Sequence, residues 1–173
     1  MPEFRKLLIC CFLFFPLLLC AQEIEKKEHE NSIFIIGLGG VLELEESLYG
    51  VNGRFYYGIN ETFCFGPEIS YFPYQSTEYD SEKSIIDLNI NAHYIFEFHH
   101  KLGLYPLLGF NYTIDKIRLT DNPEESESES EVGINYGFGA HYNLSHYFIF
   151  SEFKGVVGPL SAEFVTTGVI YEF

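Results

Sequence analysis

The chain has 173 residues, enough for one domain, with 10 Lys and Arg against 25 Asp and Glu and a formal net charge of −15. So acidic a chain lacks the basic footprint that nucleic-acid binding requires, and no nucleic-acid partner is expected. Aromatic residues make up 18% of it, all of them Tyr or Phe, and this enrichment favours strands.

The N-terminal segment has the pattern of a targeting signal. A basic pair is followed by an apolar run from Leu7 to Leu19, which is too short to span a bilayer and therefore predicts a cleaved secretory signal over residues 1–21. A lipoprotein acylated at Cys20 is the alternative. In such signals the residue before the cysteine is small, whereas here it is Leu19. The segment carries a net charge of +1, so the mature chain would carry −16.

A charged leader, residues 22–31 (QEIEKKEHEN), precedes the predicted folded domain at 32–173. Cys64 is the single cysteine of that domain. No disulfide framework can form there, and a buried, inert thiol is expected.

The rest of the chain divides into eight strand-like runs, at about 32–42, 47–59, 62–73, 84–98, 102–113, 131–144, 146–156 and 160–173. The fourth alternates most clearly, with one apolar face and one polar face. Its apolar face is Ile86, Leu88, Ile90, Ala92, Tyr94, Phe96 and Phe98, and its polar face includes Asp87, Asn89, Asn91, His93 and Glu97. No amphipathic helix is evident outside the signal, so the predicted class is all-β.

Short and long connections alternate along the chain. The short ones fall at 60–61, 99–101 and 143–145, and the longer ones at 43–46, 74–83 and 114–130, with a smaller link at 157–160. This rhythm is typical of an up-and-down barrel whose two rims differ. The fold predicted is therefore an eight-stranded antiparallel barrel.

The sixth run, EVGINYGFGAHYNL at 131–144, indicates which face meets which environment. Its polar face is almost entirely Gly and Asn, which suit the crowded interior of a narrow barrel better than a solvated surface. A transmembrane barrel with apolar residues toward lipid is therefore predicted. The alternative is a secreted soluble barrel that binds a lipophilic ligand inside. Pro67, Pro73 and Pro106 fall within strand runs and count against the strand assignments, because proline donates no ladder hydrogen bond.

Several segments resemble small bacterial outer-membrane β-barrel proteins of the OmpA-like and OmpX-like type, in particular the outer membrane protein beta-barrel domain group. They are FGPEISYFPY (65–74), LGLYPLLGFNYT (102–113), VGINYGFGAHYNL (132–144) and the ending GVIYEF. A signal ending in Ala-Gln is also similar to those of Bacteroidetes-like bacteria. The resemblance implies a bacterial outer-membrane location, lipid as a partner, and contact with the barrel-assembly machinery through a C-terminal signal formed by Val169, Tyr171 and Phe173.

Charged side chains are expected inside the barrel. The inward set is Arg54, Glu68, Asp87, His93, Glu97, His141, Glu152, Lys154 and Glu163. Charges in a narrow lumen must be paired or hydrated, so Arg54 and Lys154 are expected to pair with carboxylates such as Glu68, Glu152 and Glu163. The resulting network is predicted to plug the lumen, with a narrow gated channel as the alternative.

Other candidate sites are weaker. The acidic segment within 114–130 could bind divalent cations or a surface ligand, but a solvated loop is the simpler interpretation. His99-His100 is read as a polar turn. Some outer-membrane barrels are lipid A deacylases with a His-x-Ser pair, but His141 is followed by Asn143 at the serine position. No enzyme activity, cofactor or metal is therefore expected. The function predicted is structural or surface-interacting, for a monomer with periplasmic termini and acidic loops outside.

Overall fold

A computed structural model describes residues 33–77, 81–98, 101–119, 126–144 and 147–173. The predicted signal (1–21) and the charged leader (22–31) lie outside these residues, as does the His99-His100 pair. Within the described residues, no helix is long and apolar enough to cross a membrane.

The described chain is built from strands, as predicted. Their bounds are β1 Ile33–Glu43, β2 Tyr49–Gly58, β3 Phe63–Ser76, β4 Ser81–Tyr94, β5 Phe96–Phe98, β6 Leu102–Leu119, β7 Ser126–Asn143, β8 Tyr147–Val157 and β9 Ala162–Glu172.

The strands close into an antiparallel barrel. From β1 to β4 and from β5 to β9, each strand pairs with the next one in the chain; in addition, β1 pairs with β9 and β4 pairs with β6. The short β5 extends the position of β4, so the barrel has eight strand positions, which confirms the predicted fold. Closure leaves no sheet edge around the ring, as a lipid environment requires.

Proline explains the division of the fourth strand position. The strands β4 and β5 pair with β6 in one continuous register, which sets Tyr94 opposite Pro106. Because Pro106 has no N–H to donate, the ladder is interrupted there and the strand is divided at Ile95.

The other two prolines are accommodated in two different ways. The ladder between β2 and β3 is interrupted at Phe55 and Tyr56, and its register sets Phe55 opposite Pro67. By contrast, Pro73 lies in a register shift between Phe72 and Gln75, a β-bulge near the rim. The sheet thus tolerates these prolines by losing single bridges or by bulging.

The strands β6 and β7 are longer than predicted. The pairing continues from Thr113 opposite Glu131 as far as Arg118 opposite Ser126. Most of the stretch 114–130, predicted to be a loop, is therefore a β-hairpin that extends the sheet. The Glu-Ser alternation of this segment is compatible with a strand that is solvated on both faces, because its backbone ladder continues that of the barrel wall and β6 pairs here with β4 as well.

The two faces of the wall follow the predicted alternation. Outward-facing apolar side chains are widely exposed, for example Leu38 at 73% and Phe110 at 69%, whereas inward Asn52, Asp87 and Asn135 are almost fully buried. Polar groups fill the middle of the interior and apolar groups cover the outside. A soluble barrel with an apolar ligand cavity is therefore the wrong interpretation.

Candidate functional site

Among the described residues, two buried cations lie inside the barrel, and carboxylates hold both. Arg54 Nη1 donates to Glu152 Oε2 at 3.0 Å, and Arg54 Nη2 lies 3.3 Å from Glu68 Oε2. Lys154 Nζ donates to Glu68 Oε1 at 3.2 Å and to Asp87 Oδ2 at 2.8 Å. All five side chains are buried. Because Glu68 contacts both cations, the five residues form one connected cluster, which we call the lumen network.

Two cations face three carboxylates in this network, so neutral donors must offset the excess negative charge. Tyr56 Oη donates to Glu68 Oε2 at 2.9 Å. Tyr105 Oη donates to Glu152 Oε2 at 3.0 Å. The carboxylate of Asp87 accepts from three side chains: Asn89, Asn111 and Thr113. Each carboxylate is therefore stabilised by both a cation and a neutral donor.

Asparagines connect the wall of the lumen from strand to strand. Asn135 Nδ2 donates to Asn89 Oδ1 at 2.8 Å and to Asn91 Oδ1 at 2.7 Å. Asn111 Nδ2 donates to Asn89 Oδ1 at 2.9 Å. These contacts account for the asparagine on the polar face of β7, where a water-facing strand would carry longer polar groups.

Inward glycines make room for the large side chains of the network. A Cβ on Gly37 would lie 2.7 Å from Arg54 Cγ, and a Cβ on Gly139 would lie within 2.7 Å of the Tyr105 ring. Both distances are shorter than a carbon–carbon contact permits. The small residues therefore allow Arg54 and Tyr105 to cross the narrow lumen.

An apolar layer closes the barrel toward the rim opposite Ile33 and Phe173, the two ends of the described chain, whose rim we call the terminal rim. It consists of Val41, Leu48, Phe72, Ile85, Val156 and Phe164. Lys154 Nζ lies 5.2 Å from the centre of the Phe164 ring, so the layer directly adjoins the lumen network. We did not predict this layer. Phe164 has the inward parity of β9, which was the signal that could have revealed it.

The lumen narrows to a small vestibule at the rim that carries the termini. This cavity of about 110 Å³ is lined in part by Tyr56, Cys64, His93, Tyr105 and His141. The His93 ring stacks on the Tyr105 ring with centroids 4.7 Å apart, and its buried Nε2 has no hydrogen-bond partner among the described residues. The thiol of Cys64 is buried. Within the described residues, no three His, Cys, Asp or Glu side chains are grouped as a metal site.

Of the nine residues predicted to line the lumen, the structure brings six together: Arg54, Glu68, Asp87, His93, Glu152 and Lys154. His141 is half-buried and faces the Tyr105 ring at 6.1 Å. Glu97 is exposed at the mouth of the vestibule. Glu163 is also exposed, which corrects its assignment, because it shares the outward parity of Val169. Lys154 is instead held by Glu68, as predicted, and by Asp87.

Comparison with known proteins identifies this architecture. The family model described as "Outer membrane protein beta-barrel domain" matches residues 31–151. The chain belongs to this family. As its membership implies, the protein resides in the bacterial outer membrane and is in contact with lipid.

Solved structures of other members of this architecture superimpose along most of the chain. The attachment invasion locus protein Ail of Yersinia pestis matches with a TM-score of 0.57 at 19% identity, covering 82% of this chain and 97% of that one. The N-terminal β-barrel domain of Pseudomonas aeruginosa OprF gives 0.61 at 19%, covering 84% and 100%. A major outer membrane protein of Thermus thermophilus gives 0.66 at 12%, covering 84% and 100%. At these identities the likeness concerns the fold. No curated protein matches the chain.

The outer-membrane barrel carries a band of aromatic rings around the outside of its terminal rim. Successive ring contacts connect Phe65, Tyr57, Phe34, Phe173, Tyr171 and Tyr147, with centroids 5.2 to 6.2 Å apart. Aromatic rings prefer the membrane–water interface, where an apolar body meets a polar tip. This band is thus placed where an interfacial girdle of such a barrel is expected.

The last residue takes part in closing the barrel. The backbone N–H of Phe34 donates to the Phe173 carbonyl at 3.1 Å, and the N–H of Phe173 donates to the Phe34 carbonyl at 3.0 Å. The side chains of Val169, Tyr171 and Phe173 are exposed on the lipid-facing side of β9. They are therefore accessible from outside the barrel.

The opposite rim is uneven, because part of the wall projects beyond the rest. The strand β7 pairs with β8 only up to Ile134 opposite Val157, although β7 begins at Ser126. Within the described residues, no strand pairs with this edge of β7 from Ser126 to Glu131. We call this part of the wall the projecting sheet. It consists of residues 113–119 of β6, 126–131 of β7 and the paired end of β4, residues 81–87.

Ion pairs link β4 to β6 within the projecting sheet. Lys83 Nζ lies 3.1 Å from Glu46 Oε1 and 3.0 Å from Asp115 Oδ2. Arg118 Nη2 lies 2.6 Å from Glu82 Oε2. Three carboxylates, those of Glu127, Glu129 and Glu131, share one face of β7 and are exposed. The acidic segment is therefore an exposed strand of a sheet that ion pairs help to hold together.

Proposed function

We propose that this outer-membrane barrel acts by surface interaction, through the projecting sheet, and that its lumen is plugged. The observation that carries the proposal is the combination of an unpaired strand edge with exposed carboxylates at Ser126–Glu131. Exposed edges of this kind accept an additional strand unless charge or bulges prevent it. A partner that presents an extended, basic segment would satisfy both the free backbone groups and the negative charge.

A binding role is supported further by the described surroundings of the candidate histidine, which are aromatic. His141, the residue considered for a deacylase, lies beside aromatic rings, with Phe148 at 5.1 Å and Tyr105 at 6.1 Å. It lies at the rim that carries the termini, away from the projecting sheet. We infer a role in binding and not in catalysis.

The proposal can be tested with purified barrel in lipid nanodiscs and a synthetic peptide of alternating lysine and threonine. We expect binding that weakens as salt screens the charges. The triple variant Glu127→Gln/Glu129→Gln/Glu131→Gln should lose most of this binding, whereas the control Glu61→Gln/Glu97→Gln, at the terminal rim, should keep it.

A second probe separates strand addition from simple charge attraction. The same peptide, N-methylated at alternate backbone nitrogens, retains its charge but cannot complete a ladder. We expect it to bind much more weakly. Equal binding of both peptides, or no effect of the triple variant, would contradict the proposal.

A further inference from the structure

The vestibule at the terminal rim is lined by aromatic rings. Five rings from five strands border it: Tyr56, His93, Tyr105, His141 and Phe148. Neighbouring ring centroids in this order lie 4.5, 4.7, 6.1 and 5.1 Å apart, so the rings follow one another around the wall without a break. We call these five residues the aromatic arc.

The lumen network behind the aromatic arc holds two of its rings in place. The hydroxyl of Tyr56 donates to Glu68 at 2.9 Å, and the hydroxyl of Tyr105 donates to Glu152 at 3.0 Å. Both rings are therefore fixed in the absence of any occupant of the vestibule. A wall that is ordered beforehand binds a ligand without the entropic cost of being ordered by it.

His93 contributes an unused polar atom to this wall. The residue is only 5% exposed, and its Nε2 has no hydrogen-bond partner among the described residues. The Oε2 atom of Glu152 lies 3.9 Å from this nitrogen, which is beyond hydrogen-bond distance. When the imidazole carries its proton on Nδ1, Nε2 is an acceptor. A buried acceptor without a donor costs free energy, so a donor that enters the vestibule is stabilised there.

The charges around the vestibule are negative. Among its described lining residues, Glu61, Glu97 and Glu172 are acidic and none is Lys or Arg. The lumen network behind the arc contains three carboxylates and two cations, an excess of one negative charge. Arg54 does not reverse this balance, because two carboxylates pair with it. A cation is therefore attracted to the vestibule and an anion is repelled.

The volume of the vestibule limits its occupant to a few heavy atoms. It measures about 110 Å³, whereas an engineered protein cavity of about 150 Å³ holds one benzene molecule. A short alkyl chain with one charged head is of this size. A larger ligand could insert only one end.

We propose that the vestibule binds a small primary alkylamine in its ammonium form, which enters from the terminal rim. Aromatic rings attract organic cations through their negative faces, and the carboxylates of Glu61 and Glu97 add charge attraction at the mouth. The N–H groups of a primary ammonium supply the donor that His93 Nε2 lacks. The proposal is independent of the projecting sheet and of its partner.

The proposal is tested by equilibrium dialysis of radiolabelled n-butylamine against purified barrel in phosphatidylcholine nanodiscs, with empty nanodiscs as the blank. We expect saturable binding of one amine per barrel. Unlabelled butylamine should displace the label, n-butanol should not, and tetramethylammonium, which has the charge but no N–H, should displace it less well. Absence of saturable binding at millimolar amine, or displacement by butanol or tetramethylammonium equal to that by butylamine, would overturn the proposal.

Two sets of charge variants at opposite ends of the barrel localise the site. Glu61→Gln/Glu97→Gln removes two exposed carboxylates at the terminal rim and should weaken butylamine binding about two- to tenfold, the range for exposed ion pairs. The triple variant Glu127→Gln/Glu129→Gln/Glu131→Gln should keep wild-type affinity for the amine. Equal weakening in both sets would indicate general attraction to an acidic protein and would overturn the proposal. Failure of the basic peptide to bind the projecting sheet would leave this result unaffected.

The role of the buried acceptor is tested with His93→Phe, which keeps a ring in the aromatic arc and removes Nε2. Folding is verified by heat-modifiable migration on gels. We expect butylamine to bind about 10- to 100-fold more weakly, the loss for one hydrogen bond to a charged group, and tetramethylammonium to bind as it does to the wild type. Unchanged butylamine affinity in the folded variant would overturn the proposal.

A spectroscopic measurement on the wild type keeps the test decisive if His93→Phe does not fold. In protein labelled with ¹⁵N-histidine, the Nε2 resonance of His93 should shift as butylamine saturates the barrel and should not shift with butanol. Saturation of the barrel with butylamine without a shift of any histidine ring nitrogen would place the amine elsewhere and reject the proposed site.

Discussion

At the residue scale, the lumen network shows how a narrow barrel accommodates charge. The Arg54 guanidinium is fully enclosed between Glu68, Glu152 and the Phe150 ring, whose centre is 4.1 Å from its Cζ. Such an ion cannot be hydrated, so its stability depends on partners that are positioned before it is buried. The clearance at Gly37 is part of that arrangement.

Removal of the Arg54 side chain should destabilise the barrel strongly. Arg54→Ala leaves Glu68 and Glu152 facing each other without their shared cation, and breaking a buried pair costs about 3–5 kcal/mol. The measurement is the free energy of unfolding from urea titration in lipid vesicles, followed by gel migration.

The control for this variant is Arg118→Ala, near the outer end of the projecting sheet. Arg118 pairs with Glu82 at 2.6 Å, but both side chains are partly solvated. Pairs of this kind contribute about 0–1 kcal/mol. Equal losses for the two variants would show that burial of Arg54 is not what makes its ion pairs important.

At the element scale, the main feature is the unequal length of neighbouring strands. The strands β6 and β7 have 18 residues each, whereas β8 and β9 have 11. A membrane-spanning strand needs about 9–11 residues, so the additional residues of β6 and β7 extend beyond the membrane. The unpaired edge of β7 follows directly from this difference in length.

The side of the membrane on which the projecting sheet lies can be measured by cysteine labelling. We expect Ser128→Cys to react with a membrane-impermeant maleimide in intact cells, because Ser128 is exposed and the sheet is predicted to be extracellular. The control Glu61→Cys, in the turn after β2, should react only after lysis. The native Cys64 is buried, so the wild-type protein should give little background. The reverse labelling pattern would place the termini outside.

At the scale of the whole molecule, two barriers lie in series along the barrel axis. The lumen network fills the middle, and the apolar layer closes the interior toward the projecting sheet. An eight-stranded barrel is only wide enough for its own side chains. An ion would therefore have to displace both barriers, which supports a plugged lumen over a gated channel.

We expect no single-channel conductance from the wild-type protein in planar bilayers. The Phe72→Ala/Phe164→Ala variant should remain non-conducting, because the lumen network still blocks the path. Arg54→Ala should also remain non-conducting while it loses stability, because the apolar layer is intact. A conductance gain in Arg54→Ala without loss of stability would indicate a gate instead of a plug.

The sequence alone was sufficient for the class of fold, the eight strand positions and, in the clearly alternating runs, the face that meets lipid. These properties follow from local alternation, since a two-residue period assigns each side chain to one face. Gly133, Asn135 and Gly139 on the polar face of β7 were enough to distinguish a filled lumen from a solvated surface. Strict use of the same alternation would have avoided the misassignment of Glu163, because its parity already places its side chain on the outer face.

Only the tertiary structure decided which charges meet and where the strands end. Arg54 and Glu152 are 98 residues apart in the chain, and Lys154 and Asp87 are 67 apart, so their pairing depends on barrel closure and strand register. The projecting sheet depends on cross-strand hydrogen bonds, which have no signature in side-chain hydropathy when both faces of a strand are solvated. Likewise, the apolar layer forms because closure brings the ends of several strands together inside one narrow barrel.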